Sequence, residues 1–284
     1  MNVFTTVAEC RKAVRSARQC GETVGLVPTM GALHEGHLSL IRAARQRCRR
    51  VTVTIFVNPT QFAAGEDFDA YPRPLDDDLR KCEAAGTDFV FAPGVQTMYD
   101  QDPRTTVHVA GLTDGLCGPH RPGHFDGVAT VVSKLFNILP ANAAFFGEKD
   151  YQQLTVIRRM VRDLNFPIEI VGCPTVRETD GLAMSSRNAY LSPDHRRQAT
   201  SLSRAMFAAH DRIQQGERNV AALVAELRKT ILSDGPANID YIEIVDAESL
   251  EPLSAVDRPA RICLAVRIGA TRLIDNVAVD APPA

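Results

Sequence analysis

The stretch that decides the fold reads Val27-Pro-Thr-Met-Gly-Ala-Leu-His-Glu-Gly-His37. The residues before it, Thr23-Val-Gly-Leu26, form a short apolar run with β-branched side chains, which is typical of a buried strand. After it, apolar residues recur at helical spacing from Leu38 to Ala44. The sequence therefore predicts a strand that ends in a tight turn containing proline and glycine, followed by a helix that begins near Gly36.

His34 and His37 lie three residues apart at the start of the predicted helix, so both imidazoles can face the same ligand. The N–H groups of a first helical turn are unpaired and carry the positive end of the helix dipole, which favours a phosphate group. An imidazole at this place can also donate a hydrogen bond or a proton to a phosphoryl oxygen. We therefore predict a phosphate site, although two solvated histidines near a loop would have the same spacing.

A zinc site is the second alternative, because His-Glu also begins the motif of the zinc metalloproteases. That motif requires its second histidine four residues after the first, whereas His34 and His37 are separated by three. Neither a cysteine nor a third histidine lies near them in the sequence, so we exclude zinc.

Composition restricts the class of protein. The chain has 284 residues and a formal net charge of −2, which gives no bulk electrostatic attraction to nucleic acid or to an anionic membrane. Its seven cysteines include no Cys-x-x-Cys pair, so neither a disulfide framework nor a structural zinc site is indicated. No apolar run resembles a signal peptide or a membrane span. We expect a cytoplasmic protein with reduced thiols that binds neither nucleic acid nor membrane.

Strands and helices alternate through the first part of the chain, which predicts an α/β domain with a Rossmann-like, mainly parallel sheet. In such a sheet, ligands bind beyond the carboxyl ends of the strands. Three polar clusters follow predicted strands: Gln61 after Val51–Val57, Lys149 and Asp150 after Ala143–Phe146, and Ser185–Arg187 after the last strand. We expect these clusters to lie along the same sheet edge as the two histidines.

A change in pattern near Thr175 predicts a domain boundary, with residues 1–175 in the first domain and residues 176–284 in the second. The second part favours two helices packed on a small antiparallel sheet, which is a smaller α+β domain. The predicted elements are helices over 192–215 and 220–232 and strands over 239–245, 260–268 and 271–278. The polar segment Asp180–Asn188 lacks a core-forming pattern, which predicts a mobile loop.

Five segments carry a resemblance to a known family. They are Pro28–His37, Phe56-Val-Asn-Pro-Thr-Gln-Phe62, Arg121-Pro-Gly-His-Phe-Asp-Gly-Val128, Phe146-Gly-Glu-Lys-Asp-Tyr-Gln-Gln153 and Met184-Ser-Ser-Arg-Asn188. Together and in this order they resemble the pantothenate synthetase (pantoate–β-alanine ligase) family of the nucleotidylyltransferase superfamily. That superfamily shares its fold with the class I aminoacyl-tRNA synthetases. The second domain resembles the family in length and in helix–strand layout only.

The resemblance implies an enzyme that uses ATP to activate the carboxylate of (R)-pantoate as a bound pantoyl adenylate, with release of diphosphate. The amine of β-alanine then attacks the acyl carbon, which gives pantothenate and AMP. An acyl adenylate requires in-line attack on the α-phosphate, so the protein has to position the reactants and neutralise charge. The resemblance also implies Mg²⁺ with the ATP, a homodimer, and a C-terminal domain that acts as a lid.

The family pattern implies roles for individual residues. Those expected to act in catalysis are His37, His34, Lys149 and Arg187. Those expected to bind ATP are Met30, Gly31, Ala32, Leu33, His34, Glu35, Gly36, His37, Gly147, Glu148, Lys149, Asp150, Val176, Met184, Ser185, Ser186 and Arg187. Those expected to bind substrate are Gln61, Gln153 and Arg121. Asp77 and Asp78 would contact Mg²⁺, although acids at a helix start would equally complement the helix dipole.

Two other classes of protein remain open from the sequence. A cytidylyltransferase-type enzyme would use the same histidine-bearing helix start, but the Gln61 and Gln153 pair and the segment around Arg121 disfavour it. A tRNA-binding module related to the synthetases would be expected to have a basic second domain. Residues 176–284 instead mix acidic with basic side chains, so we expect only small-molecule partners: pantoate, β-alanine and ATP.

Overall fold

A computed structural model of the protein describes residues 1–63 and 65–280. The chain forms two compact units. The first contains Met1–Ala110, Arg121–Glu148 and Gln153–Pro174, and the second contains Gly111–His120, Lys149–Gln152 and Thr175–Ala284. The main division therefore falls between Pro174 and Thr175. Two short segments, 111–120 and 149–152, belong to the second unit, whereas the sequence placed them in the first domain.

The first unit is built on a six-stranded parallel sheet with the strand order β1-β4-β3-β2-β5-β6. The strands are Asn2–Phe4 (β1), Val24–Thr29 (β2), Arg50–Ile55 (β3), Phe89–Phe91 (β4), Ala143–Gly147 (β5) and Glu169–Cys173 (β6). The strand order reverses at β2, which has β3 on one side and β5 on the other. Such a switch point opens a crevice at the carboxyl ends of the two strands, where ligands of α/β proteins bind. The predicted Rossmann-like parallel sheet is confirmed.

Helices connect these strands. They are Val7–Gln19 (α1), Glu35–Arg47 (α2), Leu75–Ala84 (α3), Val95–Met98 (α4), His124–Ile138 (α5) and Tyr151–Asp163 (α6), with short 3₁₀ helices at Pro59–Gln61 and Glu148–Asp150. In the core, Val27, Val53 and Phe145 of the central strands pack against Ile41 and Ala44 of α2. These three strands are largely buried on both faces, as expected where a parallel sheet is covered by helices on both sides.

The sequence did not predict β1 or α4. β1 has three residues and pairs only with β4 at the edge of the sheet, so it is too short to show a period of two. α4 is a single turn of four residues. Elements of this length follow from tertiary packing and leave little pattern in the sequence.

The second unit has an antiparallel sheet of three strands in the order β7-β8-β9. The strands are Asn238–Asp246 (β7), Ala260–Ile268 (β8) and Thr271–Val279 (β9), and the helices are Pro193–Gln214 (α7) and Val220–Ser233 (α8). Leu202 and Met206 of α7 and Leu227 of α8 pack on Ile244 and Leu264 of the sheet. The predicted α+β arrangement is confirmed.

Two features bear on the expected environment of the protein. All seven cysteines are free thiols, and Cys20 is the one that is exposed. Among the helices of residues 1–63 and 65–280, none combines the length and the apolar character that a membrane crossing requires.

Candidate active site

The turn between β2 and α2 has left-handed backbone at Gly31 and Ala32, whose φ angles are +85° and +50°. This geometry directs the N–H groups of Ala32 and Leu33 at the carboxylate of Asp78, with N–O distances of 2.8 and 2.7 Å. A Cβ at Gly31 would lie 2.9 Å from the same carboxylate, so glycine fits where other residues would force a shift. One fully buried acid of α3 therefore fixes the turn.

His34 and His37 cap the helix that follows this turn. Nδ1 of His34, the N-cap residue, accepts the N–H of Gly36 at 3.1 Å, and Nδ1 of His37 accepts the N–H of His34 at 3.3 Å. The two side chains form a reciprocal capping box, with ring centroids 4.1 Å apart. Because Nδ1 is the acceptor in both rings, each neutral imidazole carries its proton on Nε2. The donor of each ring is therefore its Nε2.

The prediction that the first-turn N–H groups are unpaired is wrong for several of them. The N–H groups of His34 and Gly36 donate to the two imidazoles, and the N–H of His37 donates to the carbonyl of His34 at 2.8 Å. The N–H groups of Ala32 and Leu33 are occupied by Asp78. A phosphate at this helix start would thus meet imidazole N–H groups in place of these amides.

Met30 and Glu35 lie at the two ends of the same turn and face different surroundings. Sδ of the half-buried Met30 accepts a hydrogen bond from Nε2 of Gln61 at 3.1 Å. Glu35 is exposed and forms an ion pair with Arg42, which lies about two turns further along the same face of α2. In the described structure Met30 therefore contacts a predicted substrate residue, whereas Glu35 is part of a surface pair.

Gln61 follows β3, as predicted, and is 9% exposed at the end of a 3₁₀ helix. Its Oε1 accepts a hydrogen bond from Nδ2 of Asn58 at 3.1 Å, while its Nε2 faces Met30. Asn58 is 1% exposed and is itself held by the hydroxyl of Tyr99, which donates to Oδ1 at 2.8 Å. The orientation of the Gln61 amide is thus set by a buried hydrogen-bond chain, which leaves a second Nε2 hydrogen for a ligand.

Gly127 in α5 has no side chain, which allows the 3₁₀ helix that carries Gln61 to lie directly against α5. A Cβ at this position would lie 2.3 Å from the carbonyl oxygen of Thr60 and 2.7 Å from the backbone nitrogen of Gln61. The carbonyl of Gly127 also accepts a hydrogen bond from Nδ2 of Asn58 at 3.2 Å. Helix α5 therefore fixes the position of Gln61 through backbone contacts that only glycine permits.

Arg121, a predicted substrate contact, forms a bidentate pair with Glu66 at 2.7 and 2.6 Å. Burial alone would raise the pKa of Glu66, but the hydrogen bonds and the charge of Arg121 outweigh it and lower that pKa. Nη2 of Arg121 also donates to the carbonyl of Gln61 at 3.3 Å, and Nδ1 of His124 lies 2.8 Å from the same oxygen. In the described structure, Arg121 thus supports the backbone of Gln61.

Asp77 and Asp78, the predicted magnesium contacts, have other partners. Asp77 is paired with Lys81 at 2.6 Å and with Arg80 at 3.1 Å on the surface of α3. Asp78 is fully buried, and burial raises its pKa while the two backbone donors oppose that shift. Within the residues that the structure describes, no group of three or more His, Cys, Asp or Glu side chains is arranged to hold a metal ion. The structure thus gives Asp78 a role in shaping the turn, which differs from the one predicted.

The exit of β5 carries the remaining predicted residues of the first unit. β5 ends at Gly147, and Glu148 begins the 3₁₀ helix that follows. Gln153 lies half-buried in the first turn of α6. All three follow the carboxyl end of the strand that flanks the switch point, where the sequence predicted them.

In the second unit, Lys149 lies in the same 3₁₀ helix with its side chain 20% exposed and its Nζ 3.9 Å from Oδ1 of Asp150. The carbonyl of Lys149 accepts a hydrogen bond from Nδ2 of Asn276 at 2.8 Å. The half-exposed Asp150 and the buried Asn276 thus flank Lys149 on opposite sides.

Val176 and Met184 are paired across a hairpin, since the N–H of Met184 donates to the carbonyl of Val176 at 2.9 Å. Arg177 anchors this hairpin by a bidentate pair with the buried Asp275 of β9, at 2.6 and 3.0 Å. The hairpin therefore has a defined structure in a segment that the sequence predicted to be a mobile loop.

Ser185, Ser186 and Arg187 follow the hairpin in a 3₁₀ helix that runs from Ser186 to Tyr190. Oγ of Ser185 caps it by accepting the N–H of Arg187 at 3.3 Å. Nδ2 of Asn188 donates to Glu178 at 2.6 Å and to the carbonyl of Ala183 at 3.1 Å, which ties the helix back to the hairpin. The predicted phosphate-binding serines and arginine are thus presented by folded backbone.

Sequence reasoning missed the supporting residues. Asn58 had a usable signal, because asparagine before Pro59 is the pattern of a capped helix start with proline at its first position. Asp275 and Arg177 are 98 positions apart, and neither has a local pattern that points to the other. Contacts of that kind are set by the tertiary fold.

The fold and the helix start define a class of protein. A parallel sheet with a switch point beside β2, followed by a helix that a histidine pair caps, is the arrangement of an α/β protein that binds its ligand at the carboxyl ends of the strands. The family model for pantoate–β-alanine ligase matches residues 2–278. The chain therefore belongs to the pantoate–β-alanine ligase family.

Individual relatives agree with this assignment. The chain is 55% identical over 280 residues to a pantothenate synthetase of Moorella thermoacetica, covering 99% of both chains. It superposes on a crystal structure of pantothenate synthetase from Thermus thermophilus with a TM-score of 0.94, at 49% identity, covering 99% of this chain and 100% of the other. A pantoate–β-alanine ligase from Francisella tularensis, complexed with beta-gamma ATP and beta-alanine, matches with a TM-score of 0.80 at 33% identity, covering 98% of this chain and 97% of the other.

Proposed function

We propose that this protein condenses (R)-pantoate with β-alanine to form pantothenate, in an ATP-dependent reaction that passes through a pantoyl adenylate and releases AMP and diphosphate. The observation that carries the proposal is the histidine pair of the capping box, which lies directly beyond the carboxyl end of β2 at the switch point of the sheet. Family membership over nearly the whole chain supports the choice of substrates.

In the first step, the pantoate carboxylate attacks the α-phosphate of ATP, and negative charge develops on the phosphate oxygens and on the leaving diphosphate. His34 and His37 stabilise that charge, with His37 as the proton donor to the leaving diphosphate. Lys149 and Arg187 hold the phosphates as cations. Such stabilisation is effective because the donors are fixed by the cap before the reaction begins.

Pantoate is oriented by Gln61 and Gln153, with Gln61 held in place by Asn58. This preorganisation reduces the loss of conformational freedom when the hydroxy acid binds. In the second step the amine of β-alanine attacks the acyl carbon of the adenylate, and AMP leaves as the phosphate anion that the same donors stabilise. Arg121 contributes through the backbone of Gln61.

Residues 30–37, 147–150, 176 and 184–187 contact ATP in this proposal, on the strength of the family motifs. Mg²⁺ accompanies the ATP. Asp78 does not fit as a ligand because it is buried and occupied by two N–H donors, so the phosphates and water supply most of the ligands of the ion. A homodimer in the cytoplasm is part of the proposal, and sedimentation of the purified protein at micromolar concentration tests the dimer.

A product assay with omission controls tests the function. We expect AMP and diphosphate in equal amounts when pantoate, β-alanine, ATP and Mg²⁺ are all present, and no turnover without pantoate. The chain lacks the Gly-x-x-x-x-Gly-Lys-Ser/Thr loop that presents a terminal phosphate, which favours AMP over ADP. Turnover that is independent of pantoate would exclude the proposed substrate, and ADP as the product would exclude the adenylate.

A further inference from the structure

The turn that carries Lys149 is held by a buried side chain from a distant strand. Asn276 of β9 is 5% exposed, and its Nδ2 donates to the carbonyl of Lys149 at 2.8 Å across 127 positions of sequence. A buried amide that donates to a main-chain carbonyl fixes that carbonyl relative to the sheet, because breaking the bond would leave two buried polar groups without their partners. The position of the Lys149 backbone is thus tied to β9.

Arg261 of β8 determines which way the Asn276 amide faces. Its Nη1 donates to Oδ1 of Asn276 at 3.0 Å. A guanidinium has only donors and a carbonyl has only acceptors, so Oδ1 must face Arg261 and Nδ2 must face Lys149. The Asn276 amide therefore accepts from Arg261 through Oδ1 and donates to the Lys149 carbonyl through Nδ2.

Arg261 also contacts Tyr151, which follows the turn that carries Lys149. Its guanidinium carbon lies 3.7 Å from the ring centroid of Tyr151, the first residue of α6. The hydroxyl of Tyr151 in turn donates to the carbonyl of Ala247 at 2.7 Å. The chain is thus held at position 149 by Asn276 and at position 151 by Arg261.

The strand that carries Asn276 is itself anchored on its other face. The preceding residue, Asp275, forms the bidentate pair with Arg177, and its Oδ1 accepts the N–H of Asn276 at 2.7 Å. Side chains of neighbouring residues on a strand point to opposite faces, so the two contacts fix β9 from both sides. The backbone of Asn276 is therefore fixed in the sheet, so its side chain holds the turn of Lys149 in one place.

From these contacts we propose that Asn276 is a positioning residue for Lys149, which it places by holding the main chain of the turn from which the lysine side chain reaches the ATP phosphates. The inference rests on the proposed function, because Asn276 affects the reaction only if Lys149 binds the ATP phosphates. No direct contact of Asn276 with substrate is implied.

The test is the rate constant of pantoyl adenylate formation in a single turnover, measured without β-alanine and with ATP and pantoate both saturating and in excess over the enzyme. A displacement of about 1 Å in a positioned group lowers rates by about 100-fold, so we expect Asn276→Ala to lower this rate constant by about 10- to 100-fold. The dissociation constant of β-alanine should stay unchanged, because the amine binds after the adenylate has formed. Lys149→Ala in the same assay sets the size of the full loss.

Tyr241→Phe is the matched control. Tyr241 lies on the same sheet face as Asn276, and its hydroxyl lies 3.2 Å from Sγ of Cys117 and makes no hydrogen bond to Lys149 within the described part of the chain. The substitution removes one hydrogen bond from the same unit, whereas Asn276→Ala removes the two to Arg261 and Lys149, so the folded fraction of each variant is read from its own amplitude. A smaller fraction of folded enzyme lowers the amplitude of the single turnover and leaves its rate constant unaltered. If Asn276→Ala does not fold, Asn276→Ser, which keeps a small hydroxyl, is measured in its place.

The outcomes separate the inference from the function on which it rests. If the wild-type protein forms no adenylate, the proposed function fails. If the wild type and Lys149→Ala behave as expected but Asn276→Ala has the rate constant of Tyr241→Phe, the positioning role is overturned. A loss confined to amplitude would assign Asn276 to stability alone and would also overturn it.

Discussion

The two units place their predicted phosphate-binding side chains by different means. In the first unit, His34 and His37 cap the helix through hydrogen bonds to each other and to the N–H of Gly36, which lie within four residues. In the second unit, we infer that Lys149 depends on Asn276, which is 127 positions away, and on the packing around it. Support by local contacts can be recognised from sequence and can be preserved by a suitable local substitution. Support by distant contacts can be neither recognised nor preserved in that way, even where the supported residue belongs to a recognisable motif.

The largest effect is expected at His37, and it tests the local side of this comparison. His37→Gln should keep the capping box, because glutamine at the third helical position accepts the N-cap N–H in the same manner. Loss of the imidazole donor should still lower turnover by about 10²–10⁴-fold, since that is the usual contribution of one general acid or oxyanion donor. Steady-state kinetics and thermal unfolding check the two parts separately.

His37→Ala provides the comparison within the same position, since it removes both the donor and the cap. We expect the same loss of turnover together with a lower free energy of unfolding, by about 0.5–2 kcal/mol. If His37→Gln keeps full activity, His37 is excluded as a proton donor, because the glutamine amide can donate a hydrogen bond but cannot transfer a proton.

The next effect is expected at Gly127, which tests whether Gln61 is positioned by backbone contact. Gly127→Ala would place a Cβ 2.3 Å from the carbonyl oxygen of Thr60, and neither backbone can rotate away. The 3₁₀ helix must then shift, which should destabilise the protein by about 1–3 kcal/mol and raise the KM for pantoate by about 10-fold or more.

Gly94→Ala is the control for that experiment, because a Cβ at Gly94 has no atom within 4 Å and its φ is −77°. It should change the free energy of unfolding by less than about 0.5 kcal/mol, with unchanged kinetics. Equal behaviour of the two variants would show that the contact between α5 and the 3₁₀ helix does not position Gln61.

The smallest effect is expected at Asp78, and it concerns stability more than catalysis. Asp78→Asn would turn amide hydrogens toward one of the two N–H groups that the carboxylate now accepts, at a cost of about 1–3 kcal/mol. Asp77→Asn, at a surface ion pair, should cost about 0–1 kcal/mol. The Mg²⁺ concentration for half-maximal activity should be the same in both variants and in the wild type. A rise in either variant would restore that aspartate as a metal contact.

The parts of the fold that were predictable are those with a repeated local pattern. The parallel strands β2 and β3 show runs of apolar and β-branched residues, and helix α2 shows an apolar stripe that starts at a recognisable turn. The three-residue β1 was not predicted because it is shorter than two periods of a strand. Segments 111–120 and 149–152 group with the second unit, in which Cys117 contacts Tyr241 and Lys149 contacts Asn276, and no local pattern indicates contacts so far along the chain.

The candidate site divides in the same way. The motifs around His34, Gln61 and Lys149 were visible because chemistry restricts their residue types at fixed spacing. Which hydrogen bonds those residues make was not visible. The first-turn N–H groups of Gly36 and His37 are paired with His34, and the N–H groups of the preceding turn are paired with Asp78, a residue of another helix. The burial of Asp78 depends on the packing of α3, which the sequence motif does not encode.

The most direct test of the central claim follows an oxygen atom. With ¹⁸O in the carboxylate of pantoate, one labelled oxygen should appear in AMP for each pantothenate formed, because that oxygen bridges the acyl carbon and the α-phosphorus in the adenylate. Mass spectrometry of the AMP measures the transfer. Label in inorganic phosphate with ADP as the product would contradict the adenylate mechanism, and unlabelled AMP would show that the pantoate carboxylate never attacks the α-phosphate.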